Sequence, residues 1–294
     1  MTRPDGGWTV LRLIDWTRDY FARVGLAEPR LSAEVLLAHV LGCRRVELYT
    51  RHGLLLPPED LAAYRELVRR AGRHEPIAYL TGHKEFYSLS LKVTPDVLVP
   101  RPETELLVDA ALAFARGGGG VRLWDVCTGS GCVAVAAAHY APAISALATD
   151  ISPAAVAVAR ENAAGHGLAD RVRVECADLL SLPDCAAEMA PFDLITANPP
   201  YVSQAEAAEL PRTVRHEPEI ALLAGPTGLE CIHRIVGDAP AHLRPGGMLA
   251  FEVGFRQAAG VYELLNAAGR YEEIHFLKDA SGIERTAVAR RAAD

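Results

Sequence analysis

Asn198-Pro199-Pro200-Tyr201 is the stretch of this 294-residue chain whose residue types bear most directly on chemistry. A planar –NH2 group brings two donors. The side-chain oxygen of Asn198 and the backbone carbonyl of Pro199 can accept one each. Consecutive prolines hold φ near about −65° and push the preceding residue toward an extended backbone, so both acceptors are preorganised. Tyr201 follows on a stiff arm, where its ring can cover a planar amide and offer a π face to a cationic neighbour. An amide nitrogen is a poor nucleophile because its lone pair is delocalised into the carbonyl. Accepting both of its hydrogen bonds stabilises the positive charge that develops as it attacks an electrophile. No dedicated base is required, because the nitrogen becomes acidic only as the new bond forms. In isolation, Asn-Pro-Pro reads as well as a proline turn that closes a strand.

A second set of residues lies upstream. Asp125-Val126-Cys127-Thr128-Gly129-Ser130-Gly131 follows an apolar strand and precedes a helix, and Gly129 and Gly131 permit a sharp turn and close backbone approach to a ligand. Cys127 takes the first glycine position of a dinucleotide loop, and no Gly-Lys-Ser/Thr follows, so neither the full dinucleotide fingerprint nor a P-loop is present. Asp150 ends the next strand, where a carboxylate can accept both hydroxyls of a ribose. Asp178 and Leu179 follow the third, where an acid could meet an adenine amine and a leucine could pack on the ring. Alone, each acid is an ordinary turn or cap former. Together with Asn198 they fall at the C-terminal ends of four successive strands, where open α/β sheets bind ligands.

The elements that must position these residues are legible as a pattern. Residues 8–73 read as helices, with Ser32 as an N-cap, an apolar stripe through Leu61, Tyr64, Leu67 and Val68, and Gly42 and Gly72 as stops. Residues 1–75 are therefore expected to form a small helical bundle, for packing or for recognition of a partner such as the substrate. Residues 76–104 read as a β-hairpin linker with strands at 89–93 and 97–99, and Thr104 as the cap of a helix over 105–116. From residue 105 to 294 strands and helices alternate. Strands are expected at 121–125, 144–149, 172–175, 192–197, 248–253, 271–277 and 285–289, with helices at 132–139, 153–166, 229–242 and 257–267. That alternation predicts an α/β fold with a mostly parallel sheet and helices on both faces.

Bulk properties narrow the class. The hydrophobic fraction is 50%, the charged fraction 23% and the net charge −7, which disfavours a broad nucleic-acid face. Residues 1–78 carry 12 Arg against 10 acids, a mildly basic front before an acidic remainder. No apolar run reaches membrane-spanning length, and the first seven residues lack the apolar core of a signal peptide, so no membrane association and a cytoplasmic location are expected. The six cysteines form no Cys-x-x-Cys pair and the ten histidines no His-x-x-x-His pair, so the cysteines read as core residues of a reducing compartment and no metal is expected. The absence of a heptad pattern favours a monomer.

Pro76-Ile77-Ala78-Tyr79-Leu80-Thr81-Gly82, Pro100-Arg101-Pro102-Glu103-Thr104-Glu105, the loop from Asp125 to Gly131, Asn198-Pro199-Pro200-Tyr201-Val202, and Glu217-Pro218 with Ala224-Gly225-Pro226-Thr227-Gly228-Leu229 stand in one order along the chain. Together they resemble the HemK/PrmC family, the peptide chain release factor glutamine N5-methyltransferases, which are class I S-adenosylmethionine-dependent enzymes with a Rossmann-like sheet. The resemblance covers nearly the whole chain. It implies methyl transfer from S-adenosylmethionine, with S-adenosylhomocysteine as product, to the glutamine of the Gly-Gly-Gln loop of release factors 1 and 2, modulating translation termination without a direct nucleic-acid partner. Carried over residue by residue, Cys127, Thr128, Gly129, Ser130, Gly131, Asp150, Asp178, Leu179 and Asn198 would hold the cofactor. Asn198, Pro199, Pro200 and Tyr201 would hold the glutamine, with Asn198, Pro199 and Tyr201 catalytic. Phe86 and Arg101 would line the cofactor pocket and Glu217 would steady the motif loop. Cys127 departs from the commoner glycine. Three other readings stand beside this one: glutamine methylation of a ribosomal protein, adenine-N6 methylation of nucleic acid (which shares the planar –NH2), and a non-catalytic binding module.

Overall fold

The computed structural model describes residues 7–293. The reading of the first residues as lacking an export signal concerns positions that lie largely outside this range. The chain divides into two compact units. One runs to Gly82 and takes in Pro211–His216, and the other comprises His83–Leu210 and Glu217 onward. The sequence reading drew its boundary after residue 75.

The first unit is helical: α1 (Val10–Val24), α2 (Pro29–Val40), α3 (Glu47–Thr50), α4 (Pro58–Ala71) and α5 (Ile77–Thr81). Thr9 caps α1 through its side chain, which accepts from the Arg12 N–H, and Gly25 closes the helix at φ 78°. Leu13, Phe21, Leu36, Leu37, Tyr64, Val68 and Leu80 form its core. Ser32 is not a cap. Pro29 supplies the first helical position, with Glu28 at the N-cap, so α2 starts four residues earlier than a Ser32 cap implies, and the Ser32 hydroxyl donates back to the Ala27 carbonyl at 3.4 Å.

The second unit opens with β1 (His83–Phe86) and β2 (Leu89–Lys92), paired antiparallel. Residues 97–99, expected as the second strand of this hairpin, are not a strand. The partner lies upstream because Tyr87 and Ser88 both adopt positive φ (49° and 61°), the two-residue turn that matches strand twist, without the Asn or Gly that would announce it. The Val99 N–H is instead bound by the Glu217 carboxylate at 3.1 Å.

There follow α6 (Glu105–Ala115), β3 (Val121–Val126), α7 (Cys132–Tyr140), β4 (Ile144–Asp150), α8 (Pro153–Gly165), β5 (Val172–Cys176), β6 (Phe192–Ala197), β7 (Val202–Ser203), β8 (Leu223–Gly225), α9 (Glu230–His242), β9 (Leu243–Glu252), α10 (Ala258–Ala268), β10 (Tyr271–Lys278) and β11 (Glu284–Arg291). Seven strands make one sheet in the order β10-β11-β9-β6-β3-β4-β5. β11 runs against the direction of the other six strands, so it is antiparallel to both β10 and β9, and the remaining pairs are parallel. Alternation along the strands divides the core in two. Leu123, Ala146, Leu194 and Ala250 pack with α6, α7 and α8 on one face. Trp124, Leu147, Ile195, Leu249 and Phe251 pack with α9 and α10 on the other. The chain steps outward from β3 through β4 to β5, then returns to β6 on the opposite side of β3. That reversal opens a crevice at the C-terminal ends of β3 and β6. Among the described residues no helix is long and apolar enough to cross a membrane, and no group of three His, Cys, Asp or Glu side chains could hold a metal ion.

Candidate active site

A cavity of about 260 Å³ lies at these strand ends. Cys127, Thr128, Gly129 and Ser130 line it after β3, Asp150 after β4, Asp178 and Leu179 after β5, and Asn198 and Pro200 after β6. Val97, Leu98 and Ile151 add apolar walls. Gly131, Pro199 and Tyr201, also expected in the site, do not line it.

The loop after β3 is held from several sides. The Thr128 N–H donates to the Thr149 carbonyl at 2.9 Å, the Gly129 N–H to Asp150 Oδ2 at 2.9 Å, and Asn162 Nδ2 to the Ser130 carbonyl at 2.8 Å. Gly131 is required twice over: its φ is 80°, and a Cβ there would stand 3.1 Å from the Ala159 Cβ. Cys127 occupies the left-handed region at φ 55° and Leu179 at 46°. Such backbone costs roughly 1–3 kcal/mol per residue and concentrates at ligand clamps. Burial pushes the Cys127 thiol well above its ordinary range, so it packs as a neutral group.

Asp125 roots the loop. Its carboxylate is buried and accepts from the Thr128 hydroxyl at 2.5 Å and the Thr196 hydroxyl at 2.8 Å, joining β3, the loop and β6. Burial raises its pKa from 3.8 to about 6, against the two hydroxyls, which lower it. The folded value exceeds the unfolded one, so protonation favours the fold. This contribution is complete below about pH 4 and is lost as pH rises through about 6, amounting to roughly 3 kcal/mol. Chemical denaturation of wild type and Asp125→Asn across pH 4–8 checks this. The stability difference should shift in favour of the variant over that interval, and a pH-independent difference would refute it.

Asp150 is already engaged at both oxygens, Oδ2 by Gly129 and Oδ1 by the Ser152 N–H at 2.9 Å. Each oxygen keeps one further lone pair. Burial raises its pKa, partly offset by these N–H donors. Asp178 is bound by Arg234 of α9 through two hydrogen bonds, 3.2 and 2.8 Å, and Arg234 also lines the cavity. The sequence reading missed Arg234, because nothing in a helical periodicity ties position 234 to position 178.

Arg101 and Glu217 form a clamp. Arg101 Nη2 donates to Glu217 Oε1 at 2.5 Å, while Oε2 accepts from the Val99 N–H. This ties the cavity-lining residues Val97, Leu98 and Pro100 to the segment that carries Ile220, Ala221 and Leu223. Burial raises the Glu217 pKa, and Arg101 opposes the rise. Arg101 itself is not a lining residue, and Phe86 is buried in the α6–α8 core and does not reach the cavity. Glu217→Ala is expected to cost about 2 kcal/mol, since it strands the Val99 N–H and loses a charge-assisted bond. A denaturant midpoint equal to wild type would show the clamp to be dispensable.

Asn198 follows the last residue of β6, and its side chain enters a network invisible in the sequence. Asn198 Nδ2 donates to Thr104 Oγ1 at 3.1 Å, Thr104 Oγ1 donates to Glu252 Oε2 at 2.7 Å, and the Tyr201 hydroxyl donates to Glu252 Oε1 at 3.0 Å. Thr104 precedes α6 but makes no side-chain cap bond, contrary to expectation, because its backbone is already helical (φ −66°, ψ −18°) at the end of a tight turn, Pro102–Thr104, and not in the extended conformation a capping residue adopts. Glu252, the last residue of β9, is 2% exposed. Burial raises its pKa, and the two hydroxyls oppose this. Tyr201 is oriented by this carboxylate and not by the cavity. Its carbonyl accepts from Gln257 Nε2 at 3.0 Å, and Gly228 at φ 81° passes so close that a Cβ would meet that carbonyl at 2.6 Å. β7 pairs with β8 directly after Tyr201, which fixes the exit of the motif.

A doubly wound sheet whose strand-end cavity combines a glycine loop, a following-strand carboxylate and the asparagine that opens an Asn-Pro-Pro-Tyr turn defines a class I methyltransferase. The N-terminal domain of human METTL16, solved with SAH, shares the fold at 19% identity (TM-score 0.53, 71% of this chain and 77% of that one). So does a methyltransferase from Pyrococcus furiosus at 18% identity (TM-score 0.52, 79% and 99%). Residues 12–82 match the PrmC N-terminal domain and residues 124–216 a methyltransferase domain. The release factor glutamine methyltransferase of Rhodopirellula baltica is 45% identical over 97% of both chains, and that of Chlorobaculum tepidum 40% identical over 95% of this chain and 96% of its own. The chain belongs to the release factor glutamine methyltransferase family.

Proposed function

We propose that this protein transfers a methyl group from S-adenosylmethionine to the side-chain amide nitrogen, N5, of the Gly-Gly-Gln glutamine in peptide chain release factors 1 and 2. The observation that carries this reading is the placement of Asn198 in the same cavity as the glycine loop and Asp150, in a chain similar over nearly its whole length to enzymes of that name.

The donor set fits S-adenosylmethionine. Asp150 retains a lone pair on each oxygen for a diol, Leu179 and Ile151 offer apolar surface, and the loop from Cys127 to Ser130 presents backbone at close range. When bound, the cofactor supplies an electrophilic methyl group on a sulfonium. The chain's part is to bind, orient and polarise. The Asn198 side-chain oxygen, at the cavity wall, accepts one hydrogen bond of the glutamine –NH2, and the Pro199 carbonyl, although Pro199 is not among the cavity-lining residues, is assigned the other, stabilising charge on nitrogen as the bond forms. Holding the amide in a fixed pose can lower the barrier by roughly 7–11 kcal/mol in favourable cases. As the sulfur–methyl bond breaks and the nitrogen–methyl bond forms, the nitrogen becomes acidic and its proton passes to solvent water, so no buried carboxylate is needed as base. Glu252 is occupied by two hydroxyls. The helical unit supplies substrate recognition, and the protein acts as a cytoplasmic monomer without a nucleic-acid partner, in keeping with its net charge of −7.

Intact-mass analysis and peptide mapping test the reading. Incubation with S-adenosylmethionine and a full-length release factor should add one methyl to the Gly-Gly-Gln glutamine. A methyl placed only on a ribosomal protein, or only on adenine in a nucleic acid, would overturn the substrate assignment.

A further inference from the structure

We propose that Thr104 and Glu252 are positioning residues that set the polarity of the Asn198 side chain, fixing its oxygen as the atom available to a substrate amine. The inference rests on the proposed amide substrate for its consequence, but on the hydrogen-bond network for its geometry.

An asparagine amide can present either an acceptor or a donor, and the two orientations occupy nearly the same space. For an enzyme that must bind an –NH2 group only one is productive. The flipped amide would set donor against donor. The choice is made two residues away in the network. The Thr104 hydroxyl at 2.7 Å and the Tyr201 hydroxyl at 3.0 Å both donate to buried Glu252 and favour its ionised form against burial, and as a carboxylate it accepts only. A hydroxyl has a single proton. Once the Thr104 proton is given to Glu252, its oxygen can only accept from Asn198, so Nδ2 is drawn to Thr104 at 3.1 Å. Oδ1 is then the amide atom left uncommitted, and both Thr104 and Asn198 line the cavity. The charge at the end of the chain makes the first bond strong, and buried hydrogen bonds in series reinforce one another. The three members come from separate elements: the turn before α6, the end of β6 and the end of β9.

Four variants of the full chain test this: Thr104→Val, Thr104→Ser, Glu252→Gln, and Thr104→Val combined with Glu252→Gln. Thr104→Val keeps the side-chain shape and removes the hydroxyl, and should lower kcat by about 10²-fold, with the dissociation constant for S-adenosylmethionine changed by less than about threefold. Thr104→Ser should recover most of the loss. If Glu252 acts through Thr104, Glu252→Gln should add little to Thr104→Val, so the two effects fall well short of additive. A second readout needs no substrate. Hydrogen exchange at the Asn198 side-chain –NH2, followed by NMR on selectively labelled protein, should show protection in wild type and Thr104→Ser that is lost in Thr104→Val. Turnover by Thr104→Val near wild type, additive effects in the double variant, or exchange unaltered by Thr104→Val would each overturn the proposal. Failure of the wild type to methylate a release factor would instead overturn the substrate reading, with the exchange measurement still reporting on the network.

Discussion

Asn198→Ala is expected to lower kcat for glutamine methylation by about 10²- to 10³-fold, equivalent to roughly 3–4 kcal/mol of lost transition-state stabilisation. The variant removes the acceptor proposed to meet the substrate amine and also frees Thr104 from its Asn198 partner. It leaves Asp150 and the glycine loop untouched, so cofactor affinity should weaken only a few-fold. Single-turnover kinetics paired with calorimetric titration separates the two effects. Turnover within threefold of wild type would remove Asn198 from the mechanism, whereas loss of cofactor binding comparable to the loss of rate would recast Asn198 as chiefly a cofactor ligand. Asn198→Asp offers a control on polarity: it keeps an acceptor but adds a charge beside Thr104, and should not restore full activity.

Asp150→Ala should raise the dissociation constant for S-adenosylmethionine by about 10²-fold, taking about 3 kcal/mol for two lost hydrogen bonds to a charged acceptor. Part of that loss passes through the protein itself, because the Gly129 and Ser152 N–H groups both rest on this carboxylate. Asp150→Asn distinguishes the contributions. It keeps one oxygen that can accept from Gly129 but turns the other atom into a donor, so loop order should survive while diol binding is halved. Equal affinity of Asp150→Ala and wild type by calorimetry would reduce Asp150 to an anchor for the loop. If the alanine variant binds poorly and the asparagine variant normally, loop order and not ligand contact carries the effect.

These expectations depend unequally on sequence and on tertiary structure. The alternation of strand and helix from residue 105 onward follows from period-2 and period-3.6 apolar patterns, which are local, and the sheet realises it with boundaries shifted by a few residues. The order of Gly129, Asp150, Asp178 and Asn198 along the chain was sufficient to bring them to one cavity, because parallel strands joined by right-handed crossovers place their C-terminal ends together. Local signals failed where a side chain found a distant partner. Thr104 reads as a helix cap, but its backbone is already helical and its hydroxyl donates to Glu252, 148 residues away. Residues 97–99 read as a strand until Glu217 takes the Val99 N–H. The hairpin turn at Tyr87 and Ser88 uses positive φ without the residues that favour it, so it left no mark in composition. The anchor of the Tyr201 hydroxyl, Glu252, lies 51 residues away and left no local signal either. The sequence by itself determined the fold class and the order that brings Gly129, Asp150, Asp178 and Asn198 to one cavity, because both are written in residue type and spacing. Which way the Asn198 amide faces, and what holds it so, was decided only by the tertiary structure, since hydrogen-bond direction is set by partners that the chain brings together from three separate elements.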